Sequence, residues 1–255
     1  PPKCHPGTRK TVLNEIGEWM DDRSLTKSPL LWLNGPAGVG KSVLAKTIAT
    51  SHWHDEVIAT FFFSTSSDRT ATTLFPTLAW QLAWSIPETT QHIIASLKNN
   101  GPLLTSELEE QFDRLIIQPL RKCKMTSKSL PVMVIDGVDE CTDEDMLLEF
   151  LKVLVRAAES GDMPLRFIIC SRPEPRIHAI LNRIRDDNQE TEWQSIPLRS
   201  VKSKEDIAKY LTDTFDEMGR RLREDTRSWF QQCDISELVE RSCGQFLYAS
   251  TIVRL

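Results

Sequence analysis

At 255 residues, with 40% apolar and 26% charged side chains, the chain is large enough for a sizeable buried core and has an ordinary globular make-up. Its formal charge of -5 argues against a generally basic nucleic-acid-binding face. No apolar run approaches the roughly 18 residues needed to span a bilayer, which excludes a helical membrane span.

In chain order, the apolar residues 30–33 predict a short buried strand, and residues 35–42 a turn rich in glycine. A helix follows, with Val43, Leu44, Thr47 and Ile48 on one side. The β-branched and aromatic run 57–63 predicts a second strand, closed by a polar stretch over 64–68. Leu74, Leu78 and Leu82 then recur at helical spacing until Pro87, and another helix is expected over 88–98 before the break at Asn99-Asn100-Gly101-Pro102. Ser106 with Glu109 has the form of a capping box opening a helix that buries Leu108, Phe112, Leu115 and Ile116. A third strand runs over 131–135. Acidic residues 143–145 cap the next helix, whose stripe is Leu147, Phe150, Leu151 and Leu154. Residues 166–170 predict a fourth strand and 193–198 a weaker fifth.

Alternating strands and helices of this kind predict a parallel sheet covered on both faces. After residue 200 the strand signal stops. Ser203 with Asp206 again resembles a capping box, and Ile207, Tyr210, Leu211, Phe215 and Met218 form one helical stripe. Further helices are expected over 223–232, 235–241 and from 245 on. The expected division is an α/β core over 1–200 and a helical subdomain over 201–255.

Residues Gly35, Pro36, Ala37, Gly38, Val39, Gly40, Lys41 and Ser42 match G-x-x-x-x-G-K-[ST] between a strand and a helix. Such a loop turns successive backbone N–H groups inward onto phosphate oxygens. Lys41 reaches the β- and γ-phosphates, and the Ser42 hydroxyl joins the shell of Mg²⁺. The stretch 132–140, VMVIDGVDE, supplies the other half. Asp136 ends a strand where nucleotide crevices open in parallel sheets, and a carboxylate there holds the Mg²⁺ together with Ser42. Asp139 and Glu140 lie one step further on, where an acid orients or deprotonates an attacking water. Glu140 is the favoured base, with Asp139 as a metal-supporting acid or co-base. Arg172 ends the fourth strand and is expected to sense the γ-phosphate or stabilise charge during its transfer. Arg69 is a weaker candidate for a similar contact.

Together these motifs resemble the NACHT family, within the signal-transduction ATPases with numerous domains (STAND). The likeness rests on residues 30–42, on Phe61-Phe62-Phe63-Ser64, on the D-G-x-D-E form of 136–140 and on LRFIICSRPEP at 165–175. Residues 4–9 (CHPGTR) and 242–249 (SCGQFLYA) resemble the fungal branch of NACHT receptor-like proteins. The resemblance implies a P-loop NTPase three-layer sandwich, with a five-stranded parallel sheet in the order 2-3-4-1-5 and a helical lid. It implies ATP or ADP with Mg²⁺ as ligands, some members taking GTP, and Thr8 and Arg9 on the adenine side. It further implies a slowly hydrolysing switch that forms a homo-oligomer when bound to triphosphate, in innate immunity or self/non-self recognition. Protein effector and sensor domains, and a winged-helix segment after the lid, are expected outside these 255 residues, and the opening Pro1-Pro2 fits a piece of a longer polypeptide.

Two other function classes compete with the switch. A motor-type ATPase acting on nucleic acid or protein would be stimulated by that substrate, and a non-hydrolysing oligomerisation platform would show no turnover. The sequence SKED at 203–206 comes near a guanine-reading pattern, but helix capping already explains it, so ATP is preferred. The six cysteines form no C-x-x-C pair and read as free thiols in a reducing compartment, which makes the cytoplasm the expected address. His52 and His54 are too close in sequence to share a helix face as metal ligands. Trp32, Trp80 and Trp84 read as core or interface packing.

Overall fold

Short runs of apolar residues with no polar alternation belong in a sheet that is buried on both faces. The computed structural model describes residues 2–22, 28–52, 56–64, 71–99, 101–123, 129–182, 194–198, 203–222 and 230–254. Its strands are β1 (Leu30–Asn34), β2 (Val57–Phe62), β3 (Val132–Asp136), β4 (Arg166–Ser171) and β5 (Gln194–Pro197). They form one five-stranded sheet in the order β2-β3-β4-β1-β5, every neighbouring pair parallel, as the resemblance implied. β1, β3 and β4 are fully buried, whereas β5 at one edge buries only Ile196.

The helices are α1 (Lys10–Met20), α2 (Lys41–Ser51), α3 (Ala71–Ser85), α4 (Thr90–Asn99), α5 (Leu108–Phe112), α6 (Gln118–Lys122), α7 (Glu144–Glu159) and α8 (Pro175–Asn182), then α9 (Lys204–Leu222), α10 (Gln232–Ser242) and α11 (Phe246–Ile252). The two-residue period of each strand sorts its side chains between two cores. Leu31, Leu33, Val134, Ile168 and Cys170 meet Ile16, Trp19 and Met20 of α1 and Leu44 and Ile48 of α2. Leu30, Trp32, Met133, Ile135, Phe167 and Ile169 face the other way, onto α3, α5 and α7. There the Phe75 ring lies 5.0 Å from Phe112 and 5.9 Å from Phe150. Each such buried aromatic contributes about 1.5–3 kcal/mol by area removed from water. The result is the three-layer sandwich of a P-loop NTPase. A third, smaller core joins α9, α10 and α11 through Ile207, Leu211, Ile235, Val239 and Ala249.

Several local expectations are corrected by the structure. Ser106 does not cap α5: its hydroxyl donates to the Leu103 carbonyl at 2.9 Å in a preceding turn, and Glu107 precedes the helix without a side-chain cap. The expected single helix there is three pieces, α5 passing through a π turn at Asp113–Ile117 into α6. Trp32 is buried and donates to Ser171 Oγ at 2.8 Å, but Trp80 and Trp84 are 65% and 70% exposed. With Leu74, Leu78 and Leu82 facing the sheet, positions 80 and 84 fall roughly 200° around the helix from it. Asp143 does cap α7, accepting from the Met146 amide at 3.0 Å.

All six cysteines are free thiols. His52 pairs with Glu56 at 2.9 Å. Arg69, His54, Trp193 and most of the helix expected over 223–232 lie outside the described residues. Among the described residues, no helix is long and apolar enough to cross a membrane.

Candidate nucleotide-binding site

β1 is flanked by β4 and β5, and β4 by β3, so the carboxyl ends of β1, β3 and β4 stand side by side. The register pairs Asn34 with Ser171 and Asp136 with Cys170. Everything that follows these strand ends is therefore delivered to one crevice, the place where open α/β sheets bind ligands. After β1 comes the glycine loop. A Cβ on Gly35 would lie 2.9 Å from the Leu198 carbonyl oxygen, so only glycine lets the loop leave the sheet so close to the end of β5. Gly40 precedes α2 with φ at 98°, a left-handed conformation that favours glycine.

A cavity of about 670 Å³ collects Thr8, Arg9, Ala37, Gly38, Gly40, Lys41, Ser42, Asp136, Asp139, Glu140 and Arg172 along one wall or another. Three of the sequence candidates do not line it. Val39 turns its side chain into the core beneath the loop, and Gly35 and Pro36 contribute carbonyls that accept from Lys41 Nζ at 2.8 and 3.0 Å. Lys41 is thus stretched along the inside of the loop. Burial lowers its pKa, opposed by Asp139 and Asp136.

The Ser42 hydroxyl lies beside the Asp136 carboxylate and favours its charged form, while Asp136 Oδ1 is buried without a hydrogen-bond partner. An orphaned carboxylate oxygen beside a serine hydroxyl is an all-oxygen donor set that suits a hard divalent cation such as Mg²⁺. Among the described residues no cluster of three or more His, Cys, Asp or Glu side chains could hold a metal alone. Mg²⁺ commonly takes few protein ligands and completes its shell with phosphate and water, so the two-residue set fits.

Burial raises the Asp136 carboxyl from 3.8 to about 6, with the Ser42 hydroxyl and Lys41 acting in the opposite direction. The folded state therefore binds this proton more tightly than the unfolded chain. The group destabilises the fold fully above about pH 6, and the penalty fades as the pH falls toward 4. Asp136→Asn is expected to raise the melting temperature of the nucleotide-free and metal-free chain by a few degrees near pH 7.5, and not at all near pH 4. Scanning calorimetry at the two pH values checks this, and identical melting near pH 7.5 would contradict it.

Asp139 and Glu140 share a short 3₁₀ turn, Val138–Glu140, but their side chains are placed differently. Asp139 Oδ1 accepts from the Arg172 backbone amide at 2.9 Å, and Oδ2 accepts from Arg172 Nε at 2.7 Å. The Asp139 side chain is 4% exposed and that of Arg172 49%. Asp139 thus holds the base of a guanidinium whose tip reaches the cavity. Glu140 is half-buried and makes no ion pair among the described residues, so its carboxylate remains available to a water.

The far end of the cavity has a different character. Pro6, Tyr210, Phe246, Leu247, Ser250 and Arg254 line it. Thr8 there donates its hydroxyl to the His5 carbonyl at 2.7 Å, and Arg9 donates to the Val39 carbonyl at 2.7 Å. The α9 and α11 residues were not assigned to the site from sequence, because no spacing rule links them to the glycine loop. The resemblance alone pointed there, through the helical lid it implies over the nucleotide and through residues 242–249.

A family model described as nephrocystin 3, N-terminal, matches residues 7–172, which hold the glycine loop, the Asp136 strand and Arg172. The chain belongs to the nephrocystin 3 N-terminal family. This agrees with a NACHT-like phosphate-loop region, as the motifs implied. Among solved structures, the Walker-type ATPase PABY2304 of Pyrococcus abyssi is similar over 100% of this chain and 70% of its own length, at a TM-score of 0.59 and 18% identity. Drosophila ORC bound to DNA is similar over 96% of this chain, which spans 54% of that one, at a TM-score of 0.52 and 14% identity. At such identities these likenesses show the shared fold. A comparison with curated proteins gave no match.

Proposed function

We propose that this nephrocystin 3 N-terminal chain is an ATP-binding, slowly hydrolysing switch of the NACHT/STAND type. The observation that carries the reading is the orphaned, buried Asp136 Oδ1 beside Ser42, at a point where Lys41, Glu140 and Arg172 face one cavity. In this proposal the amides of residues 38–42 cradle the phosphates, Lys41 neutralises the β- and γ-oxygens, and Ser42 and Asp136 hold Mg²⁺. The metal, when bound, draws charge from the phosphate oxygens. Glu140 accepts the proton of the attacking water, and Arg172, braced by Asp139, meets the γ-phosphate.

Adenine is the preferred base. The described carboxylates lining the cavity, Asp136, Asp139 and Glu140, all sit at the phosphate end. The other end offers aromatic, aliphatic, hydroxyl and guanidinium groups, which suit stacking on a purine, with no carboxylate among the described lining residues there for the donor edge of guanine. Residues 201–255 act as the lid. Support comes from the Leu247 amide, which donates to the Gly38 carbonyl at 3.1 Å, so this segment touches the phosphate loop itself. A lid in that position is biased by whatever the loop holds, as a two-state switch requires. Its nucleotide state would control homo-oligomerisation in innate-immune or self/non-self recognition, in the cytoplasm, with effector and sensor domains as protein partners.

The test is mass analysis of the nucleotide that co-purifies, followed by turnover and size measurements with ATP and ADP. Bound ADP, measurable hydrolysis and assembly with ATP support the switch. Binding without turnover favours the platform, and stimulation by DNA favours a motor. Arg172→Ala is expected to weaken ATP about tenfold while leaving ADP unchanged, the loss of one charge-assisted contact to the γ-phosphate. Equal losses for both nucleotides in a competition titration would remove the sensing role.

A further inference from the structure

A trans peptide points its carbonyl and its N–H in opposite directions. A phosphate cradle therefore works only if the carbonyls on its outer side are held away from the ligand, and each needs a donor there. Two such carbonyls have donors from outside the loop. Leu247 N donates to Gly38 O at 3.1 Å, which orients the Val39 N–H of the same peptide. Arg9 Nη2 donates to Val39 O at 2.7 Å, which orients the Gly40 N–H.

Arg9 is an unusual residue in its own right. It is buried, and its backbone lies at φ 58°, a left-handed conformation uncommon outside glycine, asparagine and aspartate. Its guanidinium also lies 4.8 Å over the Phe246 ring and 3.9 Å from Asp206. A buried cation is costly unless several groups compensate it. Here the compensation comes from three separate places: the phosphate loop, α9 and the start of α11.

We propose that Arg9 is a positioning residue for polyphosphate, acting through the Val39 carbonyl to aim the Gly40 amide and coupling that loop to the lid through Asp206 and Phe246. The inference rests on the phosphate-site reading above and adds how the cradle is held. It distinguishes Arg9 from a base-contacting residue, because removing the guanidinium should weaken any ligand that uses the cradle, whether or not it carries adenine.

The experiment is calorimetric titration of the 255-residue chain with magnesium ATP and with magnesium tripolyphosphate. Arg9→Met keeps an unbranched apolar side chain of similar length but lacks both the donor to Val39 and the guanidinium that lies over Phe246. It is expected to weaken both ligands by the same factor, about tenfold, with faster hydrogen exchange at the Gly40 amide and unchanged exchange at Ile48. A loss confined to ATP overturns the proposal and makes Arg9 a base contact; unchanged affinity for both overturns it outright. A rise in exchange at Ile48 equal to that at Gly40 also overturns it, since the effect is then general loosening. If Arg9→Met does not fold, Arg9→Lys keeps the charge with a shorter reach and is expected to weaken tripolyphosphate about threefold, no change again overturning the proposal. A parent chain that binds neither ligand rejects the phosphate-site reading itself, and this proposal with it.

Discussion

Lys41→Ala is expected to abolish measurable nucleotide binding. The Lys41 ammonium is half-buried at the cavity wall and already held by the Gly35 and Pro36 carbonyls, so it meets a polyphosphate with little rearrangement. Hydrogen bonds to charged partners contribute about 1.5–3 kcal/mol each, and two of them amount to a loss of about 10² or more in affinity. The same substitution removes the brace inside the loop, which adds to the loss. The fold should survive it, because a desolvated cation contributes little net stability. A fluorescent-nucleotide titration, with melting temperature as the folding control, measures both. Undiminished affinity in a folded variant would falsify the phosphate-loop role.

Glu140→Gln should bind ATP as the parent does and hydrolyse it about 10² times more slowly. Glutamine keeps the shape and hydrogen-bonding reach of the side chain but cannot take a proton. The choice of Glu140 over Asp139 rests on geometry. Both Asp139 oxygens accept from Arg172, so this carboxylate is already held by the arginine and is not turned to a water. Single-turnover hydrolysis separates binding from chemistry. Equal turnover in variant and parent would transfer the proton to Asp139 or remove general-base catalysis from the scheme.

Much of this molecule can be read locally. The runs at β1, β3 and β4 are apolar without interruption, so their burial on both sheet faces follows from composition alone. The glycine loop and Asp136 were legible for the same reason, being placed by the strands that immediately precede them. Expectations failed where a local pattern had two outlets. Ser106 and Glu109 fit a capping box, but a turn just upstream takes the Ser106 hydroxyl. For Trp80 and Trp84, read as core or interface packing, the leucines of α3 occupy the buried face and leave both rings outside, so only the core half of that reading is removed.

What the amino-acid order alone determined is the inventory of the site: a loop able to turn its amides inward, a carboxylate at a strand end, and two acids and an arginine on neighbouring strand tips. Only the tertiary structure decided how these groups are divided. Sheet order brings Arg172 to Asp139 across 33 positions, while Glu140 makes no ion pair among the described residues. Docking of α11 brings Leu247 to Gly38, and the turn before α1 brings Arg9 to Val39 across 30 positions. The physical reason is one of range. Strand and turn preferences act over a few residues and are written in local spacing, whereas a hydrogen bond between distant segments forms only once the packed cores have set the distance between them.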